Sequence, residues 1–223
     1  HVWQSEFVAA QRVFGKGVRF IDSWYLSGKC SCGRPYPLKD IAGVYRERVK
    51  LGKEGKGIVL KLGSNGVYGK LAQSIGTPVF QSWAWAGMTT AGCRAQMLDM
   101  FALVKDRSSI LQIATDGIQT TERIAPPKPW DTGTYDLAKP LGGWEEKVYD
   151  GMVLLRPGGY FPVDPTPEQL DDIRARGLGK RIMQEQCSKA QQALERGAEG
   201  IQFPSVNRFV GCVSAVYKTP SGE

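Results

Sequence analysis

The sequence predicts an α+β fold, antiparallel strands accompanied by helices, on three observations. Two helical patterns, at residues 38–51 and 61–74, flank the break Gly52-Lys53-Glu54-Gly55-Lys56-Gly57, which reads as a helical hairpin able to project from a domain body. Two β-prone runs, residues 110–115 and 118–121, flank Asp116-Gly117, a good signal for a β-hairpin. Further on, Thr166-Pro167-Glu168-Gln169 has the form of a helix start, with Thr as N-cap, Pro at the first helical position and Gln three residues after the cap.

Taken in order, Trp3, Phe7, Val8, Val13 and Phe14 predict a short helix, and the alternation Val18-Arg19-Phe20-Ile21 a strand after it. Residues 28–37, with Gly28, Gly33, Pro35 and Pro37, read as a loop. After the helical hairpin, residues 87–103 are rich in Ala, Met and Leu and predict a largely buried helix carrying Arg94 and Asp99. The β-hairpin then places Asp116-Gly117 at its turn, and Ala125-Pro126-Pro127-Lys128-Pro129 is a stiff connector. Residues 144–161 read as β-structure bent by Pro157-Gly158-Gly159. The helix begun at Thr166 is expected to reach about residue 176, and Gly177-Leu178-Gly179 separates it from a second helix over residues 180–196. Arg174, Arg176, Lys180 and Arg181 ring that joint, where side chains and backbone amides together suit phosphate.

At 223 residues, with 42% hydrophobic and 23% charged residues, the chain has the composition of a folded protein with a real core. The net charge is +7 with a pI near 9.2. Between Arg46 and Lys70, seven basic residues stand against Glu47 and Glu54, so this window carries +5 of the excess. Such concentration favours a polyanionic partner. No apolar run approaches the roughly 18 residues that span a bilayer, no signal peptide is visible, and an amphipathic basic helix for a membrane surface is lacking. The five cysteines, Cys30, Cys32, Cys93, Cys187 and Cys212, are odd in number and scattered. They predict reduced thiols and a cytoplasmic setting rather than a disulfide framework; Cys30-Ser31-Cys32 has no second pair with which to make a zinc site. A chain that begins at His1 and stops at Ser221-Gly222-Glu223 reads as a piece of a longer protein.

The chemistry concentrates in Lys61-Leu62-Gly63-Ser64-Asn65-Gly66-Val67-Tyr68-Gly69-Lys70. At about 100° per residue, Lys61, Asn65, Tyr68 and Ala72 share one narrow sector. Leu60, Val67 and Leu71, with Val59 and Gly63 beside them, form the flank expected to be buried. Gly66 and Gly69 each cost about 1 kcal/mol relative to alanine in a helix, a cost accepted where another backbone or a ligand comes close. A cation for phosphate and a flat ring for a base suit a nucleoside triphosphate. Asp116, held rigidly at a hairpin tip, suits Mg²⁺, which takes one or two carboxylates and completes its shell with water and phosphate oxygens.

Singly these residues have ordinary explanations; their order and spacing resemble the family B DNA polymerases, in particular the protein-primed phage and viral type. Lys61 to Gly69 is similar to the family's finger-helix motif, Lys-x-x-x-Asn-Ser-x-Tyr-Gly, and Ile113-Ala114-Thr115-Asp116-Gly117 to its palm motif, Tyr-x-Asp-Thr-Asp-Ser. Leu141-Gly142-Gly143-Trp144-Glu145 and Leu155-Arg156-Pro157-Gly158-Gly159-Tyr160 resemble the segment joining palm to thumb, and Tyr45-Arg46-Glu47-Arg48-Val49-Lys50 the basic first finger helix. The likeness is strongest over residues 41–122 and fades in the last 50.

The resemblance implies a palm of antiparallel sheet with helices, an inserted helical-hairpin fingers subdomain and a partial, mostly helical thumb. Residues 1–40 and 76–163 would belong to the palm, 41–75 to the fingers and 164–223 to the start of the thumb. It implies that Lys61 contacts the incoming triphosphate, that Asn65 and Tyr68 line the nascent base pair, and that one of Arg46, Arg48 and Lys50 adds a phosphate contact. Asp116 would hold Mg²⁺, one of two ions in a complete enzyme. Thr115, Arg156 and Tyr160, with Arg174, Arg176, Lys180 and Arg181, would meet the primer–template DNA. The implied reaction is attack of a primer 3′-hydroxyl on the α-phosphate of a dNTP, with pyrophosphate leaving between two metals. The partners are then dNTPs and DNA, in the host cytoplasm for a viral enzyme. A terminal priming protein, an RNA or self-priming all remain open as the start of synthesis.

Four departures bear on activity. Ala114 stands where the palm motif has its first aspartate, Gly66 replaces the usual serine, and Gly158 falls where a lysine beside the primer is expected. Nothing before Lys61 matches the family's upstream Asp-x-x-Ser-Leu-Tyr-Pro metal motif, and the exonuclease acids are missing. The chain alone is therefore expected not to polymerise. The other reading is a degenerate, non-catalytic nucleic-acid-binding module of the same fold.

Overall fold

The computed structural model describes residues 2–25, 38, 40–52, 54–76, 79–128, 130–199, 201 and 203. The expected loop at 28–37, Cys30, Cys32, Lys53 and Cys212 lie outside the described residues. The architecture of the described residues is α+β, five helices with two small antiparallel sheets. The chain divides into two compact units, His1–Glu146 and Lys147–Glu223. Among the described residues no helix is long and apolar enough to cross a membrane.

The first unit opens with helix α1 (Gln4–Phe14) and a 3₁₀ turn (Gly15–Gly17). The strand expected at residues 18–21 is absent. Among the described residues these have no ladder partner; Phe20 packs edge-on against Phe7 of α1, ring centroids 5.8 Å apart, and Ile21 is 84% exposed. Helices α2 (Ile41–Leu51) and α3 (Lys56–Leu71) form the predicted hairpin. Its joint turns through Gly52 and Gly55, both at positive φ, and closes on Gly57, where an added β-carbon would lie 2.1 Å from the Gly52 carbonyl oxygen. Only glycine permits that approach.

Helix α4 (Trp83–Leu103) starts four residues earlier than its sequence suggested, where the Ser82 hydroxyl accepts the Trp85 N–H. It is half rather than largely buried. Ala86, Ala91, Gly92, Ala95, Met97 and Met100 turn inward, while Trp83 and Met88 are exposed. Its two charges are matched by α1: Arg94 pairs with Glu6, and Asp99 with Arg12 at 2.5 Å. Trp3 lies against Gly87, whose β-carbon would stand 2.4 Å from the indole. These three contacts step in one direction along both helices, so α1 and α4 run parallel. Strands β1 (Ile110–Ala114) and β2 (Gly117–Thr120) follow as a hairpin.

The second unit is built on β3 (Met152–Arg156), β4 (Gly159–Pro162) and β5 (Arg174–Ala175), in the order β3-β4-β5. Residues 144–151 are not strand, although β-structure was expected from 144; in the second unit Lys147 and Tyr149 instead converge on Asp172. Helix α5 (Lys180–Glu195) packs Met183, Cys187 and Ala190 against Phe161 and Ile173. The helix expected from Thr166 to about 176 is a single 3₁₀ turn (Gln169–Asp172). Its capping box is nevertheless formed: the Thr166 N–H donates to Gln169 Oε1 at 3.0 Å, and the Gln169 N–H to Thr166 Oγ1 at 3.4 Å. Propagation stops because Ile173 turns extended to enter the core and Arg174 pairs with Tyr160 in the sheet.

Candidate nucleotide and nucleic-acid sites

In α3 the less exposed residues are Gly57, Leu60, Ser64, Val67 and Leu71, a regular helical stripe. Ser64, rather than Val59 or Gly63, completes it; Val59 is 65% exposed. The Ser64 hydroxyl is satisfied within the helix by donating to the Leu60 carbonyl at 2.8 Å. Lys61, Asn65 and Tyr68 lie on the neighbouring sector, all exposed, Tyr68 at 42%. None of the three side chains has a hydrogen-bond or ion-pair partner among the described residues. Tyr68 also borders an apolar cavity of about 400 Å³ between α2, α3 and α4, shared with Ile41, Val67 and Thr89. A β-carbon added at Gly63, Gly66 or Gly69 would meet nothing within 4 Å. Among the described residues the helix therefore carries these glycines without packing that would offset their cost.

The basic residues of α2 differ in availability. Arg46 places its fork on Asp136 at 2.5 and 2.6 Å and donates also to the Gly133 carbonyl. The Asp136 hydrogen bonds raise its pKa further above the ordinary arginine value. Arg46 thus ties the hairpin to the segment beyond Trp130, alongside the Tyr45 hydroxyl, which donates to the Lys139 carbonyl at 2.9 Å. Arg48 lies over the Tyr45 ring at 5.5 Å, and Lys50 is loosely paired with Glu47 at 4.0 Å. These two are the α2 cations open to a phosphate.

In the β-hairpin, Ala114 pairs with Gly117, so the two loop residues are Thr115 and Asp116 rather than Asp116 and Gly117. Thr115 has φ +52, a left-handed conformation costly for a β-branched residue and usually filled by glycine at the first position of such a turn. Asp116 follows it, exposed. Helix α4 passes near both parts of the site. Burial first, and then the Asp116 charge, push the Cys93 thiol above its ordinary value. The next residue, Arg94, lies within electrostatic reach of Tyr68. Arg94 and Thr115 also border one apolar cavity of about 580 Å³ with Phe7 and Ile113. In the sequence Arg94 is distinguished by being the single cation between Trp83 and Leu103.

Asp116 supplies one carboxylate, which fits one of the protein contacts a Mg²⁺ ion requires. Among the described residues no group of three or more His, Cys, Asp or Glu side chains converges as a metal site. The residues described do not by themselves make a two-ion centre.

In the second unit, Lys180 pairs with Asp171 at 2.9 Å and Arg181 with Glu185 at 2.8 Å. Arg174 donates to the carbonyls of Asp171 and Ile173 at 3.1 and 3.3 Å. Arg156 donates to the Arg176 carbonyl. Tyr160 is half-buried in β4, between Leu154 and Arg174. Compared with known proteins, the chain matches no family model, no curated protein and no solved structure.

Proposed function

We propose that this chain is the fingers, most of the palm and the start of the thumb of a DNA-directed DNA polymerase resembling family B of the protein-primed viral type. Its reaction class is transfer of a deoxynucleotide from a dNTP to a primer 3′-hydroxyl. The observation that carries the reading is the open stripe Lys61, Asn65 and Tyr68 on α3, flanked by glycines whose space nothing among the described residues fills. An ammonium group, an amide and a phenol ring beside unfilled space fit a triphosphate and its base. Asp116, exposed at a rigid turn, is the carboxylate assigned to Mg²⁺, the ion that would neutralise triphosphate charge there. A single carboxylate does not support turnover, so the isolated chain binds nucleotide without extending a primer.

The test is equilibrium dNTP binding followed by fluorescence. Lys61→Ala should weaken binding about tenfold or more, the loss of a charge-assisted phosphate contact. Unchanged affinity would remove the assignment, and primer extension by the 223-residue chain would overturn the claim of inactivity. Ala114 favours the second reading, a non-catalytic nucleic-acid-binding module of polymerase fold. That protein would bind DNA and show no Lys61-dependent affinity for dNTP.

A further inference from the structure

We propose that the outer face of α3 docks an amphipathic helix of a partner protein, one that carries carboxylates along the edge of its apolar face. The side chains that form this face are not those assigned to the nucleotide, and all of them belong to the first unit.

Helix α3 is apolar on two opposite sides. Gly57, Leu60, Ser64, Val67 and Leu71 form the less exposed stripe. At about 100° per residue, Ile58, Leu62, Gly66 and Gly69 fall in one sector on the far side, with Val59 at its edge. Ile58, Val59 and Leu62 are 47%, 65% and 64% exposed. A surface helix ordinarily turns charged and polar residues outward, and one that is apolar all round is covered all round. Single exposed aliphatic side chains are common. Here they are aligned with glycines over about three helical turns.

The glycines indicate what kind of surface covers the stripe. A β-carbon added at Gly66 or Gly69 would meet nothing within 4 Å. Half of the stripe therefore lacks side chains and forms a shallow trough beyond Leu62. Large side chains of an opposing helix fit such a trough, and the two axes can approach to the short end of the ~8–10 Å range of packed helices. A lipid surface would instead reward bulky side chains that insert into it. A nucleic-acid strand would reward aromatic rings or hydrogen-bond donors, and Ile58, Val59 and Leu62 supply neither.

Charge selects the partner. Lys56 and Lys70 border the stripe on the Val59 side and Lys61 on the other, and no Asp or Glu occurs between Lys56 and Leu71. None of the three lysines forms an ion pair among the described residues; Lys70 donates to the Gln73 amide oxygen at 3.0 Å and keeps its charge. With Lys61 assigned to a triphosphate, Lys56 and Lys70 remain for the partner. Two copies of α3 laid face to face would bring lysines onto lysines, which counts against a second copy of this chain. Carboxylates flanking an incoming helix would meet both lysines favourably.

The experiment is fluorescence anisotropy of the full 223-residue chain with a labelled helical peptide of about 20 residues. The peptide carries leucines along one face and glutamates on both flanks, and a control has lysines in place of the glutamates. The glutamate peptide should bind at least about tenfold more tightly than the lysine peptide. Ile58→Gln combined with Leu62→Gln should weaken its binding about tenfold or more. Both positions are exposed and glutamine is a good helix former, so the fold is kept. Lys56→Glu combined with Lys70→Glu should reverse the preference in favour of the lysine peptide, which a folding defect would not do. Affinity for dNTP should fall with Lys61→Ala and not with the glutamine pair, so the docking face and the nucleotide site fail separately. Equal binding of the two peptides, binding undiminished in the glutamine pair, or no binding of the glutamate peptide would overturn the proposal. Self-association in sedimentation that is lost in the glutamine pair would overturn it in favour of a second copy. Leu62-dependent association with phosphatidylserine vesicles in place of peptide binding would overturn it in favour of a lipid surface.

Discussion

Arg94 donates its Nε–H to one oxygen of Glu6, while the other oxygen of that carboxylate accepts the Trp3 N–H at 2.9 Å. Glu6 is buried, but the Arg94 side chain is 56% exposed. One end of the guanidinium is anchored in α1 and the other is free to face solvent near Tyr68 and the Thr115 turn. The first turn of α1 therefore sets the direction of a cation that belongs to α4.

Glu6→Gln should destabilise the first unit by about 1–2 kcal/mol, since the exposed partner is readily resolvated. Burial alone would raise the Glu6 pKa; the Arg94 and Trp3 hydrogen bonds outweigh it and hold the group below its ordinary 4.5. Its contribution is fully present above that value and is lost as pH falls through the lower, folded-state pKa. Urea titrations at several pH values should show a difference between parent and Glu6→Gln that shrinks with acidification. A constant difference down to the acid limit would refute the assignment.

The glycines of α3 give opposite expectations at two positions. Gly57→Ala should cost at least about 2 kcal/mol, the overpacking penalty of driving a methyl group into the Gly52 carbonyl. Gly66→Ala should instead stabilise the helix by about 1 kcal/mol, since the added methyl group meets nothing. If the vacant space serves a nucleotide, the same variant should bind dNTP more weakly while melting at a higher temperature. Raised stability with undiminished binding would deny the glycine a role in recognition.

Thr115 holds a left-handed backbone at φ +52. Relief of that strain is worth about 1–2 kcal/mol, partly offset by the chain entropy of glycine. Thr115→Gly should thus leave stability unchanged or raise it by up to about 1 kcal/mol, and Thr115→Val should lower it. Chemical denaturation of the two variants reads the difference, and a destabilised Thr115→Gly would show that the hydroxyl matters more than the strain.

Arg46→Ala and Asp136→Ala should be non-additive in thermal melts, because each removes the same bidentate contact. Neither should alter dNTP affinity by more than about twofold, whereas Arg48→Ala or Lys50→Ala should weaken it if the α2 helix reaches the triphosphate. A large loss of dNTP affinity in Arg46→Ala would restore Arg46 to the list of phosphate ligands.

Local pattern made much of this legible. The α2–α3 hairpin followed from its glycine break, the β1–β2 hairpin from Asp116-Gly117, and the Lys61 stripe from helical spacing alone. Distant partners were not legible. Asp136 lies 90 residues from Arg46, and no local rule links them. The alternation at Val18-Arg19-Phe20-Ile21 gave no strand, because among the described residues nothing offers a ladder and Phe20 finds Phe7 instead. Among the basic residues near Gly177, sequence could not separate neutralised cations from open ones; that depended on where Asp171 and Glu185 came to rest.

The capping box at Thr166 and Gln169 has a consequence for the order of assembly. Both of its bonds are local, so they can close before any strand is in place, and they bias the segment toward a helix the finished protein does not contain. Ile173 and Arg174 must leave that nascent turn to join Phe161 and Tyr160. Attachment of β5 is then predicted to follow closure of the box in the folding of the second unit. The pairing of Tyr160 with Arg174 thus requires the chain to give up a turn that its own sequence favours.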